Sequence, residues 1–136
     1  MFKISPIQTQ EEQILVAKAC GAEYRIGTFG YAMRDSETND LMGFSQFEIN
    51  SNGGFLWDLR PSGELDDYEA MFILGRATMN FIDLCDKHTC IALKNSGDER
   101  LLKAIGFKKT DDGNWFADMT GMFDGHCGGH TVETPK

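Results

Sequence analysis

The stretch DDYEAMFILGRATMNFIDLCD, residues 66–86, decides the fold. Counting from Leu65, the residues Tyr68, Phe72, Gly75, Met79 and Ile82 recur at spacings of three and four, which places them on one face of an α-helix. Met71, Thr78 and Cys85 widen that face. Asp66, with Glu69 three residues later, has the pattern of a capping box, in which the first side chain accepts from free backbone N–H groups and the second reaches back. The spacing therefore predicts a helix over 66–86 with a broad buried stripe. Gly75 lies in that stripe and gives up about 1 kcal/mol of helix propensity against alanine. Close packing on a sheet explains such a glycine, and a ligand brought against the backbone is the alternative.

Working upstream, 54–59 and 41–49 read as strands joined at Asn52-Gly53, the strongest short hairpin signal. Phe55, Trp57 and Leu59 alternate there against Leu56 and Asp58. A strand over 31–34 precedes them across the polar DSETND loop at 35–40, completing an antiparallel meander. Before it, a helix over 9–20 opens on Thr9 and stops at Gly21, after a short strand ending near Pro6.

Downstream, 89–93 is a short apolar strand separated from 54–59 by the long helix, so the two form a parallel or splayed pair. A second helix over 95–105 carries Leu101, Leu102 and Ile105 and stops at Gly106. A final hairpin, 107–110 with 115–119, turns on Asp112-Gly113. The expected fold is α/β: a mixed, mostly antiparallel sheet of six or seven strands, with the helices 66–86 and 9–20 on opposite or adjoining faces. Residues 1–120 make one domain, and 121–136 an irregular tail.

Composition agrees with a single domain, since 136 residues at 41% hydrophobic content can bury a core. The 21 acidic against 13 basic residues give a net charge of -8, the wrong sign for a phosphate backbone, so nucleic acid is not an expected partner. No apolar run approaches the roughly 18 residues that span a bilayer, and the N-terminal stretch lacks a signal peptide's apolar core. A soluble, cytoplasmic protein is expected. Cys20, Cys85, Cys90 and Cys127 are scattered without a disulfide-scaffold spacing and read mostly as small buried hydrophobes.

The order of elements, together with Asn95 and the LLKAIGF run at 101–107, resembles the GNAT superfamily, the Gcn5-related N-acetyltransferases. Asn95 is similar to that family's late-strand asparagine, and the run to its Leu-Tyr-x-x-x-Gly-Phe segment. The resemblance implies a sheet splayed between the fourth and fifth strands and an acetyl-CoA-dependent N-acyltransferase acting on a small-molecule or peptide amine. It implies an acyl group in the splay, beside Leu59 and Asn95. The pyrophosphate is then expected near Arg60, Ser62 and Gly63, or near Gly75, Arg76 and Ala77, the counterpart of the family's Arg/Gln-x-x-Gly-x-Gly/Ala loop.

Two departures stand beside the match. Phe72 occupies the place of the loop's Arg or Gln, and Leu102 that of the tyrosine that can protonate the departing thiolate. Glu64, Asp66, Asp67 and Glu69 also crowd the other phosphate position with like charge.

For the base that takes a proton from the attacking amine, Asp58 is the first candidate and Glu48 the second. The ordinary alternative for each is an exposed strand carboxylate paired with a lysine or arginine. For Arg60 and Arg76 it is an ion pair with Glu64 or Asp83. The departures also open a reading of another class: a GNAT-shaped domain without transferase activity that binds a small amine or cation, or a protein partner.

In the tail, Asp124, His126, Cys127 and His130 put four metal-type donors close together. A tetrahedral zinc site would need His88 with Cys85 or Cys90 as its other half, so a glycine-rich tail and no metal are expected. Phe116, Met119, Met122 and Phe123 leave the last strand with more apolar surface than a solvated edge tolerates. Either the chain folds back over its core or a second copy covers it, and a homodimer is expected.

Overall fold

The computed structural model describes residues 1–63 and 67–123, so Glu64, Leu65, Asp66 and the donors of the tail lie outside the described residues. Seven strands form one sheet: β1 (Phe2–Pro6), β2 (Phe29–Asp35), β3 (Leu41–Asn50), β4 (Gly53–Pro61), β5 (Thr89–Ala92), β6 (Lys108–Lys109) and β7 (Trp115–Asp118). Three helices, α1 (Gln10–Ala19), α2 (Tyr68–Leu84) and α3 (Glu99–Ile105), complete the fold. Across the sheet the order is β1-β2-β3-β4-β5-β7-β6. Every neighbouring pair is antiparallel except β4 with β5, joined through the α2 crossover.

The two faces of the sheet carry separate cores. Tyr31, Met33, Phe47, Leu56 and Leu59 point to the α2 side and pack with Leu74, Met79, Ile82 and α3's Leu102 and Ile105. Ala32 and Phe44 point the other way and pack under α1's Val16 and Ala17. This alternation along β2 is the period of a strand buried on both faces. Gly54 and Gly75 let the layers close: a Cβ on Gly54 would stand 2.7 Å from Ile82 Cγ2, and one on Gly75 2.8 Å from Ile105 Cδ1 and 3.1 Å from Leu59 Cδ2.

The expected elements are present, with four local corrections. The cap of α2 is Asp67 rather than Asp66, its side chain accepting from the Ala70 N–H. The β3–β4 turn falls one residue early, because Asn50 already pairs with Gly53. That glycine is at φ +131° with the Thr89 carbonyl oxygen 2.8 Å from where a Cβ would be, a position no other residue fills without strain.

The third correction lies inside β4. Gln46 pairs with Asp58 and Phe47 with Leu56, so Trp57 is the extra residue of a β-bulge. Phe55, Trp57 and Leu59 are therefore not one face: Leu59 turns to the α2 core, and Asp58 turns to the α1 side. The fourth concerns the helix expected over 95–105. It begins at Glu99, with Asp98 accepting from the Leu101 N–H, which leaves 95–98 as a separate turn.

Candidate functional site

The expected site is the place where β4 and β5 part. They pair in parallel over only three positions, Gly54 with Cys90, Phe55 with Ile91 and Leu56 with Ala92. Beyond these, β4 continues to Pro61 while β5 ends. A bulge, a parting and a helix N-terminus thus meet at one end of β4.

Asp58 stands on the α1 side of that end, only 4% exposed. Its Oδ2 accepts from Gln46 Nε2 at 2.9 Å and its Oδ1 from Arg60 Nε at 3.0 Å. Gln46 is fully buried and spends its whole amide: its Oε1 accepts from Gln13 Nε2 and the Arg25 N–H, each at 3.0 Å, and its Nε2 also donates to the Glu23 carbonyl. The network ties α1, the loop over 21–28, β3 and β4 into one unit. A carboxylate held this way has no open approach for an amine. The ordinary alternative holds in part: the carboxylate is paired with an arginine, but it is buried rather than exposed.

Glu48 is the more accessible carboxylate. It is half-buried, and its Oε1 accepts from Trp57 Nε1 at 2.7 Å. Trp57 is in turn fixed by Phe55, ring centroids 4.8 Å apart, and by the Arg25 guanidinium 4.5 Å from its centroid. Phe55, Ile91 and Phe116 sit opposite one another on β4, β5 and β7, making an apolar row on the same face.

Arg60 is spent on the site's own frame. Besides Asp58 it donates through Nη2 to the Asn95 carbonyl, 2.5 Å away. Arg76 stacks over Phe72 and Phe123, its guanidinium carbon 5.9 and 5.0 Å from the two centroids. Neither makes the ion pair with Asp83, whose carboxylate instead accepts from His88. Gly75, Arg76 and Ala77 lie within α2, where the helix already uses the backbone N–H groups. Gly75 has a packing role against Ile105 and Leu59, and these three residues form no anion loop.

Near the start of α2, the Ser62 N–H donates to the Met42 carbonyl, and Gly63 sits at φ +52° with no atom of the described residues within 4 Å of where a Cβ would be. Arg100 of α3 places its guanidinium 4.4 Å over Tyr68, the first residue of α2. The sequence reading had no means of bringing that cation there.

The splay itself is filled. The Leu59 N–H, on the strand edge that β5 leaves open, is donated to the Ser96 carbonyl at 2.7 Å. Gly97 lies so close that a Cβ on it would stand 2.8 Å from the Leu59 carbonyl oxygen. A pantetheine arm lying along β4 does not fit these residues in this conformation. Among the first N–H groups of α2, that of Ala70 is met by the helix's own Asp67 carboxylate. Leu102, in place of a tyrosine acid, is fully buried in the core.

The buried thiols of the described residues offer no nucleophile. Burial pushes Cys20 up to about 11 and Cys90 up to about 12, so both are protonated at neutral pH. Cys20 and Cys90 are buried, as expected of most of the cysteines, whereas Cys85 is exposed rather than part of the buried stripe of α2. No group of three metal-type donors converges among the described residues, and no described helix is long and apolar enough to cross a membrane.

No protein-family model matches the chain, and no curated protein matches it in sequence. Solved structures do. A variant of spermidine N-acetyltransferase SpeG from Vibrio cholerae superposes with a TM-score of 0.68 at 9% identity, covering 90% of this chain and 96% of that one. The N-acetyltransferase YhhK from E. coli, bound to coenzyme A, gives 0.61 at 16%, covering 87% and 98%. PaiA N-acetyltransferase from Thermoplasma acidophilum, in complex with coenzyme A, gives 0.56 at 16%, covering 79% and 67%. With the parallel β4–β5 pair inside an otherwise antiparallel sheet, these likenesses establish that the chain has the GNAT fold.

Proposed function

We propose that the protein is an N-acyltransferase of the GNAT type, taking its acyl group from acetyl-CoA or a related acyl-CoA and acting on a small-molecule or peptide amine in the cytoplasm. The observation that carries this reading is the parting of β4 from β5 beside the Asp58–Arg60 pair, in a fold whose solved neighbours are named N-acetyltransferases. Glu48 is assigned as the base that draws a proton from the amine, directly or through water. Phe55 and Trp57 form the apolar floor beside it, and Asp58 holds Arg60 and Gln46 in place. Leu59, Arg60, Ser62, Gly63 and Asn95 are the residues nearest to where the donor would lie, and Arg100 joins them.

The acceptor class follows from charge. A net charge of -8 raises the local concentration of cations and opposes nucleic acid, so an amine is a natural ligand. A homodimer belongs to the same proposal, with the exposed pair of Ile91 and Phe116 as the face a second copy would cover.

A second reading is favoured by one specific observation, the filled splay: a GNAT-fold module without transferase activity that binds a small molecule or a protein partner. Thermal-shift titration of the full chain with acetyl-CoA and CoA separates the two. At one hundred times Kd a ligand stabilises the fold by about 2.7 kcal/mol, so a saturable rise in Tm is the expected result. No shift at millimolar ligand would leave the second reading in place.

A further inference from the structure

We propose that the turn over 94–97 is a built-in plug of the β4–β5 splay, displaced when an acyl-CoA arm enters, so that cofactor access is gated by the chain itself. The inference rests on the acyl-CoA reading above and adds its regulation. Three features place the turn in the slot. The Ser96 carbonyl takes the Leu59 N–H at 2.7 Å, and the Asn95 carbonyl takes the Arg60 guanidinium at 2.5 Å. Gly97 lies flush on the Leu59 carbonyl, leaving no room for a Cβ. The plug therefore occupies the backbone groups that an extended amide chain would use to add itself to the edge of β4.

The same turn carries a feature that works against its closed position. Ser96 is fully buried, and its hydroxyl has no hydrogen-bond partner among the described residues. A buried polar group without a partner is a cost that the closed state bears and an open, hydrated turn does not. The turn is also lightly tied elsewhere, by the Lys94 N–H to Asn114 Oδ1 at 3.1 Å and the Ser96 N–H to the Leu93 carbonyl at 3.0 Å. Two contacts with β4 hold the turn closed and one orphaned hydroxyl opposes it, and in such an equilibrium the apparent affinity is the intrinsic one multiplied by the fraction of molecules that are open.

Two substitutions move that equilibrium in opposite directions. In Gly97→Ala the new methyl meets the Leu59 carbonyl, so the plug cannot seat. In Ser96→Ala the orphaned hydroxyl is gone while the backbone bond to Leu59 remains, so the plug seats more firmly. Calorimetric titration of the full chain with acetyl-CoA is expected to show Gly97→Ala binding about tenfold tighter than the unaltered chain and Ser96→Ala binding more weakly. Amide hydrogen exchange without ligand checks the structural step: the Leu59 amide should exchange faster in Gly97→Ala, with the amides paired between β3 and β4 unchanged. Equal acetyl-CoA affinity in all three proteins, at whatever strength, overturns the gate and leaves the acyl-CoA reading intact. Faster Leu59 exchange in Gly97→Ala with no binding by any of the three at millimolar acetyl-CoA overturns that reading, and the gate with it.

Discussion

Glu48 and Asp58 are both carboxylates on neighbouring strands, yet their surroundings differ. Asp58 is locked between an amide and a guanidinium, so Asp58→Asn leaves Arg60 without its charged partner. Urea unfolding should show a loss of about 1–3 kcal/mol, the usual consequence of breaking a buried hydrogen-bonded pair. Glu48→Gln keeps an oxygen for Trp57 Nε1 and should leave the unfolding midpoint nearly unchanged. If Glu48 is the base, turnover of acetyl-CoA with an amine acceptor falls about 10²-fold. An unchanged rate in Glu48→Gln would clear it of that role.

His88 sets a pH dependence of stability. Asp83, at 2.5 Å from Nδ1, and Asp86, at 3.2 Å from Nε2, raise its pKa above the ordinary histidine value. Because the folded value is the higher one, the imidazolium stabilises the fold fully below the unfolded pKa of about 6.5, and that contribution is lost as pH rises through the folded value. Thermal melts should show His88→Gln destabilised at pH 5.5 and matching the unaltered chain at pH 9. The same difference at both pH values would mean that the ring's charge is not what counts.

At the scale of elements, α2 was legible because its stripe is long, its cap residues are clustered and its period is unmixed. The strands around it followed from turn chemistry. Three features were not legible, each for a definite reason. The β4 bulge changes the parity of side chains without any residue type that announces it, which is why Leu59 was read with Phe55 and Trp57. The start of α3 was obscured because Asn95, Ser96 and Asp98 are all good caps, and only the pairing with Leu59 decides for Asp98. The Gln13–Gln46–Asp58 network depends on contacts between residues far apart in sequence. Its one local sign is a glutamine within the apolar GFSQF run at 43–47.

Gly75 tests the packing role of α2 directly. Alanine there gains up to about 1 kcal/mol of helix propensity, and crowds Ile105 and Leu59, an overpacking that typically costs about 1–3 kcal/mol. We expect Gly75→Ala to lose about 1 kcal/mol net by urea unfolding, with its response to acetyl-CoA unaltered. A loss of acetyl-CoA binding at unchanged stability would return Gly75 to the cofactor site.

Over the whole molecule, the two faces of the sheet are unequally covered. Met119 is fully buried, and Met122 and Phe123 pack against the α2-side core, so the chain folds back there. On the other face, Ile91 is 42% and Phe116 40% exposed. That is where a second copy would sit, and light scattering should give a concentration-dependent mass above 15.2 kDa that Ile91→Lys abolishes. A 15.2 kDa species at every concentration would mark the face as free for another ligand.

In the proposed reading an acyl-CoA arm lies where β4 parts from β5, and the chain's own turn occupies that place. The most direct measurement is a two-dimensional amide NMR titration of the full chain with acetyl-CoA. The largest shifts are expected at Leu59, Arg60, Ser96 and Gly97, with the interior amides of α2 around Gly75 little changed. Saturable shifts centred on α2 around Gly75 to Ala77, or no shifts at millimolar acetyl-CoA, would contradict an acyl-CoA site between β4 and β5.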